Sequence, residues 1–141
     1  MSAERDTPAY TVHADGASRG NPGPASIGVV VRDPAGTTVH TIARRIGRAT
    51  NNEAEWRAAL AGLEAALALG ARAVELRMDS ELVVRQISGR YRVRNPRLLP
   101  FYHRVLGLRD RFQRLTVRHV PREQNREADA LANRALDHAL D

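Results

Sequence analysis

Asp15, Glu55, Asp79 and Asp129 are the residues of this chain whose type and placement could do chemistry. They are far apart in sequence. Each falls at the end of a strand-like run or near the start of a helix-like one. The protein around them is strongly basic, with a formal net charge of +6. Carboxylates brought to one point raise one another's pKa, and divalent cations remove that conflict. All-oxygen donors suit Mg²⁺ or Mn²⁺ rather than zinc. Two such ions, about 4 Å apart, can activate a water and stabilise the leaving oxygen of an in-line phosphoryl displacement. An acidic point in a basic protein suits a polyanionic substrate, so phosphodiester hydrolysis is the leading chemistry.

The bulk numbers agree with an enzyme of that kind. The 141 residues suffice for one domain with a real core, and 43% are hydrophobic. The absence of cysteine excludes disulfides and cysteine-based zinc sites, and a cytoplasmic location is expected. The opening residues MSAERDTPA carry no apolar stretch and do not read as a signal peptide. No apolar run approaches the roughly 20 residues needed to span a bilayer, so no membrane association is expected. All 22 basic residues are Arg, whose planar fork suits phosphate. Nine of them lie between Arg85 and Arg114 with a single acid, Asp110; this is either a solvated helical face or a nucleic-acid track, and the charge density favours the track.

Residues 1–8 read as a disordered tail, followed by a single domain over 9–140. Tyr10 to Asp15, Ala25 to Arg32 and Thr37 to Ile46 read as three strands with short links, an antiparallel meander. A turn-rich loop, GASRGNPGP, separates the first two. A long Ala/Leu-rich helix is expected from Asn52 to Leu69, stopping at Gly70. Ala73 to Met78 reads as a fourth strand, Ser80 to Ile87 as a short helix, and Arg97 to Phe112 as another. Leu115 to Val120 completes the strands, and Asn125 can cap a last helix running to about Ala139. The order βββαβααβα implies a mixed sheet with helices packed on it.

Helical periodicity separates the two acids of the long helix. Glu55 shares the apolar face with Ala59, Gly62, Leu63 and Ala66, whereas Glu53 lines up with Arg57 and Glu64 on the wetter side. A glutamate at the edge of a buried face is costly unless something neutralises it, which assigns Glu55 to the site and Glu53 to the first turn of the helix. Asp79 follows the fourth strand directly, at the edge where α/β sheets bind ligands. Asp15 ends the first strand in the same way, and Gly16 gives close backbone access. Asp129 sits one turn into the last helix. The structural alternatives are a turn aspartate for Asp15, a helix cap for Asp79 and dipole compensation for Asp129.

At these residues the chain resembles a type 1 ribonuclease H. The matching blocks are Asp15 to Gly23, Thr50 to Glu55, Met78 to Ser80, and Asn125 to Ala132, in order and correctly spaced. The resemblance implies a mixed α/β fold of the ribonuclease H-like type, a five-stranded mixed sheet with helices on both faces. It also implies hydrolysis of the RNA strand of RNA–DNA hybrids with two metal ions, held by Asp15, Glu55, Asp79 and Asp129. The family's hybrid-contacting segment falls on Thr50, Asn51 and Asn52, a run that just before a helix is also a good N-cap. Ser18, Arg19 and Asn21 join them as substrate-binding candidates, with Gly16. A monomer without an obligate protein partner is expected.

Two departures stand out. Some relatives place a catalytic His in a long loop before the last acid, but here that link is the short PREQN, residues 121–125. His119 reads as a strand residue; relatives of the archaeal-like branch carry a similar PRE segment, so the resemblance implies that Arg122 assists, and since Arg cannot act as a general base it would bind phosphate or help product and metal leave. Some relatives also carry an extra helix and a basic protrusion. This chain has one helix, no Trp and a shorter insertion there, so hybrid affinity is expected either to be lower or to be carried by Arg90, Arg92, Arg94 and Arg97. Trp56 reads as core. The alternatives are a nucleic-acid-binding module of this fold with catalysis lost, or a DNA nuclease on the same scaffold.

Overall fold

The computed structural model describes residues 7–137. Strands β1 (Tyr10–Ser18), β2 (Gly23–Arg32) and β3 (Thr38–Ala49) precede helix α1 (Asn51–Ala68). Then come β4 (Ala73–Met78), α2 (Glu81–Ile87), α3 (Leu99–Arg109), β5 (Arg114–His119), a 3-10 turn (Arg122–Gln124) and α4 (Arg126–Asp137). The order of elements is the one the sequence pattern implies. The five strands form one sheet in the order β3-β2-β1-β4-β5. β1–β2 and β2–β3 pair antiparallel, while β1–β4 and β4–β5 pair parallel.

Local chemistry explains the meander. Asp33 Oδ1 accepts from the backbone N–H groups of Ala35 (3.0 Å) and Thr37 (2.9 Å), which folds the link between β2 and β3 into a tight turn. β1 occupies the centre of the sheet, and its Val12 and Ala14 are fully buried. Side chains of successive strand residues point to opposite faces. On one face α1 packs with Gly62 against the side chains of Val12 and Val29. On the other, Ser26 Oγ donates to the carbonyl of Ala132 in α4, and Gly28 lies directly against the Ala128 carbonyl. Helices therefore cover both faces. The main core contains Leu63, Leu76, Met78 and Trp56. Trp56 donates its indole N–H to Gln86 Oε1 at 3.3 Å and meets Tyr102 edge to face, the packing role read from sequence.

Several boundaries move. β1 runs on through Gly16 to Ser18, because Ser18 pairs with Ala25 and extends the hairpin ladder into the expected loop. β3 likewise continues to Ala49, with a bulge opposite Ala25/Ser26. α3 starts at Leu99 rather than Arg97, since Asn95 Oδ1 captures the Arg97 N–H (2.9 Å) in a turn, and it ends at Arg109 rather than Phe112. Thr7, in the expected tail, hydrogen-bonds Gln113 at 3.0 Å and receives Arg114 on its carbonyl at 2.8 Å. Residues 1–6 of that tail, and the expected end of the last helix near Ala139, lie outside the described residues. Among the described residues no helix is long and apolar enough to cross a membrane.

Candidate active site

Three of the four acids converge. Asp15 projects from β1, Glu55 from the first turns of α1, and Asp79 follows the last residue of β4. One carboxylate oxygen from each lies within 4.8 Å of the others. The topology causes this: β1 and β4 are parallel neighbours, so their carboxyl ends emerge side by side, and α1 returns across β1. Glu55 lies on the buried face and is only 4% exposed, as the helical spacing requires. Glu53 instead completes a capping box: its side chain accepts from Thr50 N while its own N–H donates to Thr50 Oγ1.

Burial dominates the electrostatics. Asp15 is pushed up to about 11, first by loss of water and then by the charge of Glu55, with Asp129 and Asp79 adding to it. Burial pushes Glu55 up to about 7, opposed by hydrogen bonding to Asp15 and the Gly16 N–H. Glu55 Oε1 accepts that N–H at 2.6 Å, whereas Oε2 is buried with no hydrogen-bond partner among the described residues. A buried carboxylate oxygen left in this state is costly. An all-oxygen donor set with one orphaned oxygen and two buried carboxyls of raised pKa is what a hard divalent cation would relieve. The residues present therefore fit a metal.

Asp129 stands outside the tight trio but lines the same cleft of about 400 Å³, together with Asn51, Ser80, Arg122 and Asn133. Gly16 and Ser18 line it as well. Arg122, in the short turn before α4, lines the cleft beside the acids, and no ion pair joins it to one of them among the described residues. His119 is an exposed end of the β4–β5 ladder, opposite Met78, and borders a separate hollow with Arg85, Arg90 and Arg118. Of the two, Arg122 shares the acidic cleft. A larger concavity of about 760 Å³ between β3 and Leu136 contains none of the acids.

The other expected site residues surround the cleft in different capacities. Thr50 caps α1. Asn51 is exposed at the rim, and its N–H is held by Asn21 Oδ1 at 3.1 Å. Asn52 is half-buried outside the cleft lining. Ser18 Oγ donates to the Ala49 carbonyl at 2.8 Å, joining the ends of β1 and β3, and Arg19 pairs with Asp137. Arg90, Arg92, Arg94 and Arg97 are exposed. Three nearby polar residues went unread as site components. Asn133 donates to the carbonyl and carboxylate of Asp129, a contact its i,i+4 spacing could have signalled. Asn125 and His13 form a buried pair behind Asp79. The expected cap from Asn125 does not form: its side chain turns inward instead.

Comparison with known proteins places this arrangement among relatives. A family model described as Reverse transcriptase-like matches residues 13–135. A bifunctional protein of Mycobacterium tuberculosis is 49% identical over 129 residues, 91% of this chain and 35% of the relative. The chain thus spans about a third of that relative's length. Ribonuclease HI of Halobacterium salinarum is 48% identical over 130 residues, covering 91% of this chain and 65% of that one. The crystal structure of the Halobacterium RNase H1 matches with a TM-score of 0.89 at 45% identity, over 92% of this chain and 98% of that one. LC11-RNase H1, solved in complex with an RNA/DNA hybrid, matches with a TM-score of 0.88 at 42% identity, over 94% of this chain and 99% of that one.

Proposed function

The chain belongs to the type 1 ribonuclease H family, and from that premise we propose that it is an endoribonuclease that hydrolyses the RNA strand of RNA–DNA hybrids. The observation that carries the reading is the meeting of Asp15, Glu55 and Asp79 within 4.8 Å in a cleft that also holds Asp129 and Arg122. The likeness to a protein solved with a hybrid supports the substrate class.

In this reading Asp15, Glu55, Asp79 and Asp129 hold two Mg²⁺ or Mn²⁺ ions. Bound there, the ions supply a nucleophile from water at neutral pH and neutralise charge on the phosphate. The chain does the rest by position. Gly16 fixes the direction of Glu55 through its N–H. Asn133 holds the Asp129 carboxylate from the next turn of α4. Arg122 offers a permanently charged fork to the scissile phosphate or the departing product, and takes no proton. Asn51 stands at the rim where an amide can meet a minor-groove edge or the 2′-hydroxyl that marks RNA. Thr50 and Asn52 flank it, and Ser18, Arg19 and Asn21 shape the facing loop. Thr50 combines substrate contact with its cap. Arg90, Arg92, Arg94 and Arg97 track the backbone beyond the cleft.

The proposal extends to a single domain over 9–140, acting as a monomer in the cytoplasm without an obligate protein partner. The test is cleavage of labelled hybrid, RNA duplex and DNA duplex side by side with each metal. The expected result is cutting of the RNA strand of the hybrid alone. Binding without cutting, with either metal, would reject the enzyme in favour of a binding module, and cutting of DNA would mark a different nuclease.

A further inference from the structure

Asn125 is 2% exposed and makes more contacts behind the cleft than its place in a turn would require. Its Nδ2 donates to the Ala14 carbonyl at 3.0 Å and to Asp79 Oδ1 at 2.9 Å. Its Oδ1 faces His13 Nδ1 at 3.2 Å. Its backbone N–H bonds the Arg122 carbonyl at 2.9 Å, and its own carbonyl accepts from Asp129 N at 3.1 Å. One residue therefore touches the strand that carries Asp15, the carboxylate of Asp79, the turn that carries Arg122 and the helix that carries Asp129.

The direction of the amide follows from its partners. Ala14 O and a carboxylate can only accept, so the NH₂ end must point to them. Oδ1 is then turned to His13, whose Nδ1 must carry the hydrogen. His13 is 7% exposed and sits two residues before Asp15, on the same face of β1. An amide holds a carboxylate's rotamer without adding charge to a site already crowded with it.

We propose that Asn125 is a positioning residue that fixes Asp79 for metal binding, and that His13 acts through it by setting the direction of its carboxamide. The kinetic part rests on the ribonuclease reading; the metal-binding part stands without it.

The test uses the whole chain as Asn125→Ala, His13→Phe and the double variant, each checked for folding by circular dichroism. Mn²⁺ binding is measured by calorimetry on protein alone, and kcat and KM on a hybrid. Supports of metal ligands typically contribute about 10–100-fold, so Asn125→Ala is expected to weaken Mn²⁺ binding and lower kcat by about that factor, with KM within about threefold. His13→Phe should show a smaller loss of the same kind. The double variant should be no worse than Asn125→Ala, because His13 has nothing left to direct. Wild-type Mn²⁺ affinity in both folded single variants overturns the proposal, and losses that multiply in the double variant overturn the part assigned to His13. If Asn125→Ala does not fold, His13→Phe alone decides by the same Mn²⁺ criterion. A wild-type protein that binds Mn²⁺ yet leaves hybrid intact counts against the ribonuclease reading, and the effect of the variants on Mn²⁺ binding still decides this one.

Discussion

The backbone N–H of Gly16 donates to Glu55 Oε1 at 2.6 Å, across the contact where β1 meets the first turn of α1. One residue thus supplies both the donor and the room. A Cβ on Gly16 would land inside the van der Waals shells of the Ala54 carbonyl and the Glu55 nitrogen, which are backbone and cannot swing away. Gly16→Ala should therefore push α1 off β1, costing about 1–3 kcal/mol or more by overpacking. Activity should fall further than stability, because Glu55 moves with the helix. Urea unfolding beside cleavage kinetics checks this; an unchanged midpoint would mean that the contact is looser than described.

Removing one charge from the trio separates chemistry from binding. Asp79→Asn keeps the shape but discards a ligand charge, and cleavage should drop by more than a hundredfold, about 2.7 kcal/mol of barrier. Hybrid affinity, measured without turnover, should stay within several-fold. A variant that still cuts at near wild-type rate would remove Asp79 from the catalytic set.

The metal-free protein should become less stable as pH rises. Burial raises both Asp15 (to about 11) and Glu55 (to about 7) above their ordinary values. A carboxyl that titrates higher when folded takes up a proton on folding. Its stabilising effect is complete below the unfolded pKa near 4 and is lost as pH climbs through the folded value. Melting temperature in chelator should fall between about pH 5 and 8, at a slope of up to about 1.4 kcal/mol per pH unit for one proton. Added Mg²⁺ or Mn²⁺ should restore it, and more so at higher pH. A melting point in chelator that is level or rises over this window would contradict the raised pair.

Thr50 and Asn51 should part company on mutation. Thr50→Ala opens the capping box and should cost about 1 kcal/mol of stability. Asn51→Ala, exposed at the rim, should leave stability nearly unchanged and raise KM for the hybrid. Thermal melts paired with Michaelis curves distinguish the two roles, and a destabilised Asn51→Ala with normal KM would reassign that residue to the scaffold.

Arg122 and His119 give a clean contrast. Arg122→Ala should lower kcat roughly tenfold or more, through loss of charge stabilisation in the cleft. His119→Ala, outside the cleft, should change kcat less than twofold. Steady-state kinetics of the pair decides between them; the opposite ranking would move the assisting role to β5.

Periodicity was enough to choose Glu55 over Glu53, because a helix has one buried face and only one of the two acids lies on it. The antiparallel meander of the first three strands was legible for a similar reason: short links force neighbours, whereas the place of β4 beside β1 came only from the structure. Boundaries were less so. The Gly16–Ser18 segment reads as turn by composition, yet backbone pairing with Ala25 to Ile27 overrides it. Asn125 illustrates a deeper limit. An asparagine before a helix has the same signature whether its amide caps the helix or turns into the core, and only His13, Ala14 and Asp79 arriving from elsewhere decide. His13 gave no signal at all, since its partner lies 112 residues away.

The sheet order puts the first strand at the centre and the last helix against it, so the cleft draws on residues from position 15 to position 129. A nascent polypeptide still lacking α4 has neither Asp129 nor the Asn125 brace. The acidic cleft is therefore incomplete until α4 has settled against the sheet, so docking of that helix is the step that assembles it.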